Sequence, residues 1–586
     1  MKNKAVKVLM ILTCIPSLFS CGKKENVSGS ENVTFEAKRP SYDKEDRSSA
    51  WVTNDNYRNF YHIFVPSFAD SNGDGTGDLQ GIIAKLDYLR KKDDPHGKGS
   101  LGINGLLLSP VFASTQYHAY DTVDYYKVKE EFGTNDDLKE LIDKCHERGI
   151  KVLLDMALNH ASTENPDFLK AEAYINEHGF ASFAEDGLVS EETMKACPET
   201  AYFRFAKPGT NLQYLTGYAN SIFSCPDCNA LFEGFSSCMP DWNLDNQEVR
   251  EKQKEVLYHY LDLGVDGFRL DAVTSYYSDM PKRNYEYINY LNKEIKEKKK
   301  EAYIVAEGPW DFAGCHSYVE NTDIDSYFDF NTSLKNVGDY AVSGLVNRLR
   351  NYGSLDDSPS SLQKFLESSG REAKIRSDHI DATFNSNHDI GRFTNQFIAQ
   401  DEFRKNAAKF FYGLQNLYIG NYFNYYGDEI GLMGVTGSGS NADMFARSPL
   451  IWGDKYTTKE LRSGLNDDFN TYIREDAKAQ IEDEGSLFNY MRRLYKMKED
   501  NPEIARAPVV IKKLLKDEKC LIITKTWNSS TIDIVINGGS EKQTLDLEEL
   551  NLSKGKLRNC LSVNDEYAEI DKGRLTVPSL SITVIR

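Results

Sequence analysis

The sequence predicts an α/β fold: a (β/α)8 TIM barrel interrupted after its third strand by an inserted subdomain and followed by an all-β domain. Three observations carry this. From Tyr57 to about Asn501, short β-branched or aromatic runs alternate with longer amphipathic stretches, and eight such runs can be counted. About 85 residues, Ala161 to Asp245, stand between the third run and the helix before the fourth, too many for a plain loop in a compact domain. After Pro502 the pattern changes to short alternating strands that continue to Arg586.

The eight predicted strands are Phe60–Val65, Ile103–Leu108, Lys151–Asp155, Val265–Leu270, Tyr303–Ala306, Ser326–Phe330, Ala382–Asn385 and Tyr422–Tyr426. Helical spacing follows over Leu79–Arg90 and Asp136–Glu147, and precedes the fourth strand over Glu248–Leu263. In the tail, Cys520–Trp527 and Thr531–Ile536 read as strands. The domain boundaries that follow are 51–160 with 246–505 for the barrel, 161–245 for the insertion and 506–586 for a C-terminal β-sandwich.

The first fifty residues differ from the rest. Lys2, Lys4 and Lys7 precede an apolar run from Val8 to Phe19, then Ser20-Cys21. A basic head, a short apolar stretch and a small residue before the cut form a signal peptide over residues 1–20. With Cys after Ser20 it resembles a bacterial lipoprotein signal, which implies Cys21 as the lipidated N-terminus of an exported, membrane-anchored lipoprotein at the cell surface or in the periplasm; an ordinary cleaved signal is the alternative. Residues 21–50, rich in Ser, Lys, Glu and Asn, form a flexible tether.

The formal net charge is -19. That balance suits a soluble, monomeric protein and argues against nucleic-acid binding, which needs a basic footprint. Cys197, Cys225, Cys228 and Cys238 cluster in the insertion. Disulfides are the first expectation in an exported chain, and a four-thiolate zinc site is the sharper alternative. Cys145, Cys315, Cys520 and Cys560 are scattered and read as buried.

Active sites of such barrels sit at the C-terminal ends of the strands. There the third strand ends in Asp155, with Asn159 and His160 beyond it, and the fourth ends Gly267-Phe268-Arg269-Leu270-Asp271. The fifth ends in Glu307, the seventh leads into Asn387-His388-Asp389, and the second is followed by Tyr117-His118-Ala119-Tyr120-Asp121. So many charged groups at one mouth are costly unless paired or used.

In order and spacing, Asp155-x-x-x-Asn159-His160, Gly267-x-Arg269-x-Asp271, Glu307 and Asn387-His388-Asp389 resemble the four motifs of the α-amylase family of glycoside hydrolases (family 13). Met239-Pro240-Asp241-x-Asn243 and the stretch from Gly102-Ile103-Asn104 to Ser109-Pro110 resemble its accessory motifs. The resemblance covers Tyr57 to Pro502 and implies a retaining hydrolase of α-1,4-glucosidic bonds in starch, maltodextrins or related α-glucans. Asp271 is then the nucleophile, held ionised by Arg269, and Glu307 the general acid and base. Asp389 binds sugar hydroxyls and helps distort the ring. His118, Tyr120, Asp121, His160, Arg269 and His388 complete the sugar-binding set, with Tyr120 as its aromatic platform.

Within the family, Ala272 after the nucleophile favours α-1,4 over α-1,6 bonds. Thr274 and Ser275 stand where many endo-acting members carry Lys-His, and Glu307-Gly308-Pro309-Trp310 replaces a more usual Glu-Val-Trp run. An exo-acting α-glucosidase and a transglycosylase on malto-oligosaccharides are therefore the alternatives. A catalytically inactive glucan-binding subunit is disfavoured by the presence of all three carboxylates.

A second site is written near the first strand. Asp70, Asn72, Asp74, Thr76 and Asp78 place oxygens at alternating positions of a glycine-rich loop, which is calcium-loop chemistry; the loop resembles that of family members related to oligo-α-glucosidases, which implies calcium or magnesium. The twelfth position is Gly81, so the loop is no complete EF-hand, and Asp78 takes the closing role.

Overall fold

The computed structural model describes residues 55–211, 221–278, 280–331, 340–397, 402–434, 442–459, 476–552 and 555–586. The predicted signal peptide, Cys21 and the tether lie outside them. No helix among the described residues is long and apolar enough to cross a membrane.

Eight parallel strands build the barrel: β1 (Asn59–Ile63), β2 (Gly105–Leu108), β3 (Lys151–Met156), β4 (Gly267–Leu270), β5 (Tyr303–Ala306), β6 (Ser326–Tyr327), β7 (Ala382–Phe384) and β8 (Asn421–Tyr425). They lie side by side in the order β6-β5-β4-β3-β2-β1-β8-β7. A parallel bridge from Phe328 to Ala382 joins the two outer strands and brings the sheet close to full closure.

Every strand obeys the two-residue alternation of a barrel wall. Tyr61, Ile63, Leu106 and Leu108 face the outer layer, while Phe60, Leu107, Leu153, Tyr303, Val305, Phe384 and Phe423 fill the interior. The Phe60 ring stacks on Phe423 at 4.4 Å and on Tyr303 at 5.5 Å, closing the lower lumen. Inside-facing positions above that plug are the polar ones, so the functional groups gather at the upper end.

The strand boundaries move by a residue or two from those predicted. β1 ends at Ile63 because Pro66 starts a 3-10 turn over Val65–Ser67. The helix expected over Leu79–Arg90 is two short ones, Leu79–Ala84 and Leu86–Leu89, meeting at Lys85. That side chain is engaged elsewhere: its ammonium pairs with Asp454 at 2.7 Å and lies over the Trp452 ring. The other two helices form as read. Asn135–Glu147 opens on a Thr134–Asp137 capping box, and Gln247–Leu263 on Asn246, whose side chain accepts from two backbone N–H groups.

The insertion is a small domain of its own elements. Helix Pro166–His178 packs an aromatic core, Phe168 with Phe203, Phe205 and Phe232, against strands Phe205–Ala206, Leu231–Ser236 and Ser221–Ser224. Its two ends are stitched together at the barrel rim. Ala161 donates to the Pro240 carbonyl, Trp242 to that of Asn159, and the Asn159 amide to Asp241 at 2.9 Å. The Met239-Pro240-Asp241-x-Asn243 motif is thus the clasp that closes the insertion over the mouth.

The cysteine cluster divides. Cys225 and Cys228 form a disulfide, whereas Cys197 and Cys238 stay free. Cys197 turns to Glu199 at 3.4 Å and Cys238 to Ser236 at 3.4 Å, and neither stands with Cys225 and Cys228 in the group of ligating side chains that meet among the described residues. Cys145, Cys315 and Cys520 are buried as expected, and Cys560 is half-buried.

The tail is all-β. A five-stranded antiparallel sheet runs in the order (Val510–Leu515)-(Cys520–Trp527)-(Ser530–Asn537)-(Ser581–Ile585)-(Leu557–Ser562), beside a three-stranded one. Its central strands are buried on both faces. Cys520, Ile522 and Val535 share a core with Leu545 and Leu575 of the second sheet, while Leu521, Ile523, Ile534 and Ile536 join the barrel's outer core.

Candidate active site

Register assembles the site. Pairing of β4 with β3 sets Arg269 beside Asp155, and pairing of β4 with β5 sets it beside Val305, two residues before Glu307. The inward-facing series on β4 is Gly267, Arg269, Asp271. A Cβ at Gly267 would stand 1.9 Å from the Tyr303 carbonyl oxygen, so only glycine allows β5 to approach this closely.

Arg269, 3% exposed, is the hub. One terminal nitrogen bonds Asp155 at 2.7 Å and also Asp271; the other bonds Glu307 at 2.8 Å. Its fork geometry lets a single cation hold three carboxylates in a fixed relation. Burial alone would lower its pKa, but Asp155 and Asp271 hold it well above the usual range, so it stays charged.

One cation does not neutralise three carboxylates. Burial pushes the Asp271 carboxyl well above its ordinary value; Arg269 opposes this, and Glu307 adds to it. Asp155 is likewise pushed up by burial and pulled back by Arg269. Arg269 lowers the pKa of Asp271 as expected from the sequence, but burial is the larger influence.

Asp389 behaves oppositely. Burial would raise its pKa, but His388, Arg447 and Arg269 hold it well below the carboxylate range. His388 lies 3.0 Å away and Arg447 3.2 Å. Side-chain exposure rises from 9% at Asp271 to 15% at Glu307 and 31% at Asp389, placing the three in order from floor to rim.

Tyr120 links the halves of the site. Its hydroxyl donates to Asp155 at 2.9 Å and lies 2.7 Å from His388 Nε2, and its ring stacks on His388. His118 accepts from the Tyr120 backbone N–H at 3.1 Å, and burial pushes its pKa down to about 4. His160 is buried, and burial pushes its pKa down to about 3, so it is neutral; its Nε2 is buried without a hydrogen-bond partner among the described residues. Asp121 is fully buried. Its carboxylate accepts from Thr115 and Gln116, so it orders the loop carrying Tyr117 and Tyr120.

Ala272 holds a φ of 44°, a left-handed conformation uncommon outside glycine, and it turns the backbone N–H towards Glu307 at 3.3 Å. Trp310 donates to the other Glu307 oxygen at 3.4 Å.

Sequence reasoning missed several groups. Arg447, beyond β8, bonds Asp389, the His388 carbonyl and Tyr117. His62, on β1, packs edge-on against His388 and bonds Ser109 at 3.0 Å. Phe235, in the insertion, stacks on His160 at 4.9 Å. Only the inward position of His62 on β1 carried a signal; Arg447 stands in a stretch with no periodicity.

In the predicted cation loop, backbone N–H groups wrap the carboxylates. Asp70 accepts from Asn72, Gly73 and Gly75, Asn72 from Asp74, Asp74 from Thr76, and Asp78 from Ser71 and Gly81. Gly73 and Gly75 take φ of +86° and +102°, which the tight loop requires. The donors are all hard oxygens and fit calcium or magnesium. Among the described residues, the loop's three carboxylates do not converge within 4.8 Å, so ligation would draw them inward.

A barrel whose mouth gathers an Arg-bridged pair of carboxyls, a third carboxylate held ionised and unpartnered imidazole nitrogens is built for glycoside chemistry. The family model for the α-amylase catalytic domain matches residues 62–507. The chain is 30% identical over 511 residues to α-amylase 3 of Dictyoglomus thermophilum, covering 84% of this chain and 89% of that one. It is 30% identical over 381 residues to a 4-α-glucanotransferase of Thermotoga neapolitana, covering 64% and 72%, and 26% identical to an oligo-1,6-glucosidase of a Bacillus species, covering 76% and 92%. Among solved structures, Amy13B of Eubacterium rectale superposes with a TM-score of 0.75 at 30% identity, covering 91% and 96%. The chain belongs to the α-amylase family and is a glycoside hydrolase.

Proposed function

We propose that the protein hydrolyses α-1,4-glucosidic bonds of starch and maltodextrins with retention of configuration. The observation that carries this is the Arg269 fork, which holds Asp271 at the floor and Glu307 above it on neighbouring strands. Asp271 attacks the anomeric carbon, and Glu307 protonates the leaving oxygen and then activates water. Asp389, ionised through His388 and Arg447, accepts hydroxyl hydrogen bonds from the same sugar; His160 offers its unpartnered Nε2, and Tyr120 an apolar face. The Asp70–Asp78 loop holds calcium or magnesium and stiffens the segment after β1. Export and anchoring through Cys21 would place the enzyme where polymeric glucan is met; fatty-acid labelling that survives Cys21→Ser would overturn the anchor.

Transfer to a second sugar is the competing outcome of the same glycosyl-enzyme, favoured by the likeness to a 4-α-glucanotransferase. Products from soluble starch, and from maltoheptaose blocked at its non-reducing end, separate these. Early mixed-length products and cleavage of the blocked substrate establish endo-hydrolysis. Glucose alone, with the blocked substrate intact, means exo-action, and products longer than the substrate mean transfer.

A further inference from the structure

The β-hairpin of the insertion turns through Cys225-Pro226-Asp227-Cys228, and Glu172 of helix Pro166–His178 faces that turn. We propose that, once the Cys225–Cys228 disulfide is reduced, its two sulfurs and the Glu172 carboxylate bind a thiolate-preferring divalent cation of the zinc class. The disulfide and the metal then cross-link the same turn in two exclusive states.

Among the described residues, Glu172, Cys225 and Cys228 are the group of ligating side chains whose atoms all lie within 4.8 Å of one another. A tetrahedral zinc with sulfur ligands needs neighbouring ligand atoms ~3.8 Å apart, so the two sulfurs, bonded to each other here, separate on reduction while Glu172 stays within reach. The turn is held without the S–S bond: Cys225 N–H donates to the Ala230 carbonyl at 3.0 Å, and Ala230 N–H to that of Cys228 at 2.9 Å. Glu172 is aimed by the Asp227 N–H at 2.8 Å and stands 3.1 Å from the Cys225 sulfur. Cys225 and Glu172 are buried while Cys228 is half-buried, so the site is lined on one side and open on the other. The charges acting on Glu172 are those of Asp227 and Glu164, which favour a cation. A fourth position remains for water.

The chemistry balances simply. An external phosphine gives two electrons to the S–S bond, and one water supplies the oxygen of the phosphine oxide and the hydrogens of the two thiols. The incoming cation then displaces those protons to solvent. The metal, unlike the disulfide, would tie helix Pro166–His178 through Glu172 to the hairpin whose second strand carries Phe235 against His160.

The test uses the full chain, reduced with a phosphine and titrated anaerobically with Co2+, whose thiolate charge-transfer band reports sulfur ligation. The expected result is a band saturating at about one Co2+ per chain, bleached by Zn2+ and absent from the oxidised protein. Cys225→Ser and Cys228→Ser should abolish it, Glu172→Gln should weaken binding about tenfold or more, and the Cys197→Ser/Cys238→Ser double variant should keep it. Cobalt in the oxygen-lined 70–78 loop would give no thiolate band. No band in the reduced protein, or one that survives Cys225→Ser or depends on Cys197 and Cys238, overturns the proposal. Glu172→Gln keeps both cysteines, so its circular dichroism and starch hydrolysis check the fold independently of either sulfur.

Discussion

Two aspartates sit at opposite ends of β4, and their surroundings are inverted. At the lower end, Asp266 meets His146 at 2.7 Å, Lys151 at 3.0 Å and Lys299 at 3.2 Å, and accepts from the Val152 N–H. Burial would raise its pKa, but the His146 hydrogen bond and the Lys151 and Lys299 ammoniums hold it well below the carboxylate range. At the upper end, Asp271 shares a single Arg269 with two other carboxylates, and burial wins. Cations are in surplus below and carboxylates above. The lower end uses charge to fix the strand; the upper end keeps charge incompletely compensated, where it can act on a substrate.

The contrast is broken most sharply at the top. Asp271→Asn should lower kcat by at least about 10^4-fold while glucan binding and melting temperature stay near wild type, because only the nucleophile is lost. Substantial turnover in that variant would remove Asp271 from its role. Arg269→Met should cost about 3–5 kcal/mol of stability at neutral pH by leaving buried carboxylates unpaired. That deficit should shrink as pH falls, since the carboxyls can then protonate; denaturant unfolding at two pH values checks both points.

At the bottom, Asp266→Asn should lose about 1–3 kcal/mol at pH 7 with kcat unchanged. The folded-state pKa of Asp266 is depressed, so its contribution is present above the unfolded value of 3.8 and fades below it; variant and wild type should converge in acid. A deficit that persists at low pH would mean packing and not charge. Smallest of all, Lys151→Ala should change stability by under about 1 kcal/mol, because its side chain is 49% exposed and Asp266 retains Lys299 and the His146 hydrogen bond.

The motif residues were legible because their spacing reports strand ends. Asp155, Arg269, Asp271, Glu307 and Asp389 all stand where the alternation of strand and helix put them. His118 and Asp121 were legible as members of a run; the backbone hydrogen bond that one accepts and the loop that the other orders were not. The break at Lys85 was invisible, since the partners that engage it lie some 370 residues away.

By itself the sequence determined the barrel, the insertion, the all-β tail and the carboxylates of the mouth, because hydrophobic period and local motif spacing are properties of neighbouring residues. The tertiary structure alone decided that one guanidinium serves three carboxylates and that Arg447 completes Asp389. It also decided that only two of the four clustered cysteines meet. Those outcomes depend on strand register and on segments joined across hundreds of residues, which no local pattern encodes.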